Sequence, residues 1–121
     1  MKAIEALADS IAQHNSYSDP TSEAYRLRNP GMLKARSIES LASATDDCHR
    51  IFTSHIGGYK ALVDSLANTF RGHRRVSLRE AYGKYNVEDY AAEMAVAFVQ
   101  TALSDKSITL DSEIRFIFSE L

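Results

Sequence analysis

Two stretches of this chain carry apolar residues at helix-face spacing, and together they restrict it to a mainly α-helical fold. Tyr59, Leu62, Val63, Leu66 and Phe70 recur at i, i+3, i+4, i+7 and i+11. Such a set forms one stripe on a helix and scatters over both faces of a strand. Tyr90, Ala91, Met94, Ala95, Phe98, Val99, Ala102 and Leu103 repeat the pattern in a wider stripe, as expected of the central core helix. Ile4, Leu7, Ala8, Ile11 and Ala12 form a third. The spacing predicts helices over 2–14, 58–71, 77–85, 88–103 and 110–119. Leu62, Leu66, Met94, Phe98 and Val99 are the expected meeting point of their apolar faces.

Punctuation supports those boundaries. Ser77 and Glu80 stand three apart, as in a capping box. Gly72 follows the second helix where a stop is expected. Asp19-Pro20 disfavours helix, Thr21 and Ser22 can start a short turn, and Asn29-Pro30-Gly31 is a strong turn signal. The chain has 121 residues, the size of one domain with a modest core, and shows no linker or repeat. We read 1–121 as a single domain.

Composition narrows the function classes. A net charge of -2 gives no global attraction to nucleic acid or an anionic membrane. The first ten residues include Glu5 and Asp9, so they form no secretory signal. No apolar run is long enough to span a bilayer, and the host cytoplasm or a virion is the expected location. Cys48 is the one cysteine and closes no internal disulfide. His14, His49, His55 and His73 lack close ligand spacing, so no metal is expected. No cofactor is called for.

The segment A-Q-H-N-S-Y-S-D-P-T-S-E-A-Y-R-L-R-N-P-G-M-L begins at Ala12. It resembles the opening of small phage-type lysozyme-like domains, related to goose-type lysozymes and lytic transglycosylases, which run A-x-x-E-G-F/W, then P-G-S, then R-N-N-N-P-G-N/D-L. The two align without a gap through Pro20, Ser22, Arg26, Asn29, Pro30, Gly31 and Leu33. Farther on, F-T-S-H-I-G-G-Y-K-A-L, V-S-L-R-E-A-Y-G-K-Y and I-T-L-D-S-E-I resemble later family segments, so the likeness covers nearly the whole chain. It implies one lysozyme-like helical domain with a small β-hairpin between Leu33 and Thr53, whose second strand fits 50–53.

Two departures bear on activity. The family's R-N-N-N has become Arg26-Leu27-Arg28-Asn29. More seriously, the glutamate that the family uses as general acid, at the end of its first helix, falls on Asn15. Glycoside cleavage needs a protonated carboxyl beside the leaving oxygen, and an amide supplies none. The resemblance therefore implies a scaffold without its acid, more a binder than an enzyme. Its partner would be a host protein, a virion protein or a peptidoglycan glycan. Asn15, Ser22, Arg26, Asn29 and Tyr59 are the cleft candidates, although for Ser22, Arg26 and Asn29 loop bracing is the favoured reading over ligand contact. Tyr17, Tyr25, Tyr59, Tyr82 and Tyr85 could stack on sugar rings, but at helical spacing Tyr59, Tyr82 and Tyr85 are more often core or core-edge residues.

Two rival readings stay open. Asp19 or Glu23, on the loop after the first helix, could replace the missing acid in an active muramidase. Arg71, His73, Arg74 and Arg75 form a basic interhelical cluster that could grip phosphates or an acidic protein. A short charged loop is more commonly just solvated.

Overall fold

A computed structural model describes residues 2–35, 44–45, 48–72 and 75–116. Among these are five α-helices: α1 (Ala3–His14), α2 (Glu23–Arg26), α3 (His55–Phe70), α4 (Leu78–Lys84) and α5 (Asp89–Leu103). The domain is mainly α-helical. α1 packs most extensively on α5 and also against α3, while α4 packs on α5.

The central element is α1. Ile4, Ala6, Leu7, Ala8, Ser10, Ile11 and Ala12 are all buried along its twelve residues. Leu62, Leu66 and Phe70 from α3, Leu78, Ala81 and Tyr82 from α4, and Ala92, Ala95, Val96 and Val99 from α5 complete the core. Ser10 stays satisfied there, since its hydroxyl donates to the Leu7 carbonyl at 2.7 Å and bonds the Tyr82 hydroxyl at 2.8 Å. Buried polar groups persist when paired in this way.

The orientation of α5 corrects the expected core. Leu62, Leu66 and Val99 are buried, but Met94 is 79% exposed, Tyr90 is 78% exposed and Phe98 is half-buried. The helix is apolar nearly all round, so periodicity does not identify which face turns inward. The face chosen carries the smaller residues, which let helix axes approach closely.

The two ends of α3 follow different rules. It starts three residues before Gly58, where the Ser54 hydroxyl accepts the Gly57 amide at 3.0 Å as an N-cap. It ends at Phe70, and Gly72 beyond it does not take the left-handed backbone expected of a glycine stop. Ser77 caps α4 as expected, accepting the Glu80 amide at 3.2 Å.

The expected helix over 110–119 is replaced by a turn, in which Ser112 N–H donates to the Thr109 carbonyl, an isolated bridge of Glu113 with Ser77, and a 3₁₀ turn, Ile114–Phe116. The cause lies in α4, whose first amides have no partner within their own helix. Leu78 N–H donates to the Ser112 carbonyl and Arg79 N–H to the Leu110 carbonyl, while Ile114 N–H returns to Val76. Those carbonyls are thereby engaged outside any helix of their own. Ile108, Leu110 and Ile114 are buried by the same docking. Residues 117–119 of the expected helix lie outside the described residues.

Between Leu33 and Thr53, the described residues hold isolated antiparallel bridges, Lys34 with His49 and Ala44 with Arg50, and no β-sheet. Much of the expected hairpin, including residues 36–43, lies outside the described residues.

Candidate functional site

The candidate residues lie where the end of α1, α2, the Asn29-Pro30-Gly31 turn and the start of α3 converge. Asn15 is the C-cap of α1, and Ser16 after it takes a left-handed backbone, φ 56°, that reverses the chain. The Asn15 side chain then reaches across fifteen residues of sequence, and its Nδ2 donates to the Pro30 carbonyl at 2.9 Å. The first helix end and the turn are thus directly joined.

Asn29 is fully buried and holds the turn together. Its Nδ2 donates to the carbonyls of Leu33 and Arg50, each at 3.0 Å, and its Oδ1 accepts the Leu33 amide at 2.9 Å. These bonds close the loop onto the segment that precedes α3. Ser22 caps α2 by accepting the Tyr25 amide at 3.2 Å. Both residues brace the fold. Arg26 is exposed on α2.

Two glycines let the backbones approach. A Cβ on Gly31 would fall 2.6 Å from Leu62 Cδ1, and one on Gly58 would fall 1.8 Å from the Arg28 carbonyl oxygen. The left-handed positions of this loop belong instead to Arg28, φ 53°, and Met32, φ 48°. The turn signal was legible, but the glycine in it serves packing.

Neither substitute acid has the surroundings of a general acid. Asp19 is exposed and accepts both the amide and the hydroxyl of Thr21, at 2.9 and 2.8 Å. Those bonds favour the carboxylate and hold its pKa below the ordinary aspartate range. Glu23 is exposed in the first turn of α2. A general acid needs the opposite, an apolar enclosure that keeps it protonated.

Tyr59 is committed elsewhere. Its hydroxyl donates to Asp9 Oδ1 at 2.7 Å, tying α3 to α1, and burial with that bond raises its pKa. Tyr82 is fully buried and Tyr85 nearly so, the latter with its hydroxyl 2.8 Å from Ser65 Oγ.

One cluster was not legible in the sequence. The Tyr17 hydroxyl bonds His55 Nδ1 at 2.5 Å, and the Tyr25 ring lies 4.6 Å from the His55 ring and 6.0 Å from that of Tyr17, centroid to centroid. All three residues are half-buried. Desolvation, and secondarily Tyr25, raise the Tyr17 pKa. His55 stands 38 residues from Tyr17 in sequence, so no local pattern pairs them.

A hollow of about 330 Å³ opens beside the turn, lined by Gly31, Met32, Leu33, Ser65 and Tyr85 with Lys34 and Lys84. Asn15, Ser22 and Asn29 do not line it. In the basic cluster, Arg71 and Arg75 are exposed, while His73 and Arg74 lie outside the described residues. Cys48 is exposed in a loop with φ 64°. No described helix is long and apolar enough to cross a membrane. Comparison of the chain with protein-family models, curated proteins and solved structures finds no match.

Proposed function

We propose that this chain is a phage-type lysozyme-like domain that has lost its catalytic acid and acts by binding a glycan, a virion protein or a host protein. The observation that carries the proposal is the bond from Asn15 at the end of α1 to Pro30 in the N-P-G turn. The amide donates there at every pH, whereas a carboxyl would do so only when protonated. Asn15 therefore supports the loop without offering a transferable proton. The exposure of Asp19 and Glu23 argues against a substitute acid. The partly exposed rings of Tyr17, two residues after Asn15, and of Tyr25 and His55 packed with it supply an amphipathic face of the kind enriched at interfaces.

Release of muropeptides from purified cell walls tests the reading. The wild-type chain should release none above buffer. Asn15→Glu should fold and, where the vestigial geometry persists, give weak lysis. Turnover by the wild type that vanishes in Asp19→Asn or Glu23→Gln refutes the proposal and establishes an active muramidase. For binding, pull-down with purified sacculi should weaken on Tyr25→Ala if the partner is glycan. Unchanged sedimentation would remove these rings from the binding face.

A further inference from the structure

The outer face of α5 carries a second stripe that the monomer leaves uncovered. Tyr90, Met94, Ala97, Thr101 and Ser104 are all exposed. Their spacings are four, three, four and three, the 3.5-residue repeat of a helix-pairing seam. The Thr101 hydroxyl donates to the Ala97 carbonyl at 3.1 Å, so the side chain spends its polar group within its own helix. Exposed Tyr90 and Met94 on this side are large apolar groups that a covered helix face would ordinarily bury.

We infer that this stripe is the interface of a homodimer, with α5 packed antiparallel on α5 of a second copy about a two-fold axis at Ala97. Three observations select a second copy. Size is complementary end to end: bulky Tyr90 and Met94 occupy one half and small Thr101 and Ser104 the other. Antiparallel pairing about Ala97 sets Tyr90 against Ser104 and leaves the two alanines facing each other. Shape follows the same register. A hollow of about 530 Å³ lies at Gln100, Thr101, Ser104 and Lys106, large enough for the tyrosine ring that the register brings to it. Tyr90 and Ser104 are about 21 Å apart along the stripe at 1.5 Å per residue, so both knobs seat at once.

Charge agrees as well. Exposed Glu88 and exposed Lys106 stand nine residues before and after Ala97, just beyond the two ends of α5, so the register brings opposite charges to each end of the seam. Of the other charged groups on this side of α5, exposed Glu93 flanks Met94 and in this register meets the other copy's Thr101, whose hydroxyl can turn to it. Asp89 pairs with Arg79 at 3.2 Å, and Asp105 is engaged by the amide and hydroxyl of Ser107. An isologous interface requires such self-complementarity. Parallel pairing would put Tyr90 on Tyr90 and Glu88 on Glu88.

Sedimentation equilibrium on the full chain, run up to about 1 mM because a one-helix seam lies at the small end of interface sizes, should show mass rising from 13.5 kDa toward twice that value. Ala97→Arg, which places two like charges on the axis, should abolish the rise with unchanged circular dichroism. Glu88→Lys and Lys106→Glu should each weaken association by about 2- to 30-fold, and the double exchange should restore it. Ala97→Cys in a Cys48→Ser background should oxidise to a covalent dimer. A wild type that stays at the monomer mass throughout overturns the inference. So does a dimer that survives Ala97→Arg, because its interface lies elsewhere. The inference is independent of the binding function proposed above, and either can fail without the other.

Discussion

Replacing Gly58 by alanine should destabilise the protein although the site is in a helix. Helix propensity alone favours alanine over glycine by about 1 kcal/mol. The tertiary structure reverses the sign. The added Cβ would sit 1.8 Å from the Arg28 carbonyl oxygen, 2.9 Å from its carbon and 3.2 Å from Pro30 Cδ. The first two obstacles are backbone, and no side-chain rotation relieves them. Restoring ordinary contact requires α3 to retreat by about 1.5 Å. That retreat strains the Tyr59–Asp9 and Tyr17–His55 bonds, which join α3 to the first helix and its loop. Overpacking costs about 1–3 kcal/mol, and a weakened hydrogen bond adds about 1. Against the propensity gain, the net loss is about 1–3 kcal/mol, or roughly 4–12 °C in Tm. Urea unfolding followed by far-ultraviolet circular dichroism measures it. Gly83→Ala is the internal control, because a Cβ there meets nothing within 4 Å. It should stabilise by about 0.5–1 kcal/mol. If Gly58→Ala is as stable as the wild type or more so, the contact between α3 and the N-P-G loop is wrong.

The remaining predictions concern the loop and the core. Asn29→Ala leaves Leu33 N–H and two carbonyls without their side-chain partner and should cost about 1–3 kcal/mol in the same urea experiment; a loss under about 0.5 would deny the brace. Burial, only partly offset by the hydrogen bond with Ser10, pushes Tyr82 up to about 12. A group that holds its proton more tightly when folded stabilises fully below its unfolded value near 10, and that stability is lost as pH rises toward 12. Tyr82→Phe should therefore flatten the alkaline unfolding limb between pH 10 and 12, and an unchanged limb would assign the transition to other groups. Asn15→Asp should be less stable than wild type at neutral pH by about 1–3 kcal/mol, because a carboxylate then faces the Pro30 carbonyl. Its stability should recover as the pH falls and the carboxyl becomes a donor. A pH-independent difference from wild type would show that the side chain has left the turn.

Local chemistry made much of this fold legible in the sequence. The helices around residues 3–14, 55–70 and 89–103 follow from apolar periodicity, and the one at 78–84 follows from the offset of the Ser77 cap to Glu80. The Asn29-Pro30-Gly31 turn could be read because its signal lies within three neighbouring residues. What could not be read depends on partners distant in sequence. The 110–119 segment has helical apolar spacing, yet its carbonyls accept the amides of α4. Gly31 and Gly58 serve contacts with Leu62 and the Arg28 backbone, and the Tyr17–Tyr25–His55 cluster joins three separate elements. The rotation of α5 is the clearest case. Its sequence offers one face with Tyr90 and Met94 and another with Ala92, Ala95, Val96 and Val99, and hydrophobicity favours the bulkier one. Only packing decides: the buried face of smaller residues fits close against α1, and Tyr90 and Met94 are left outside.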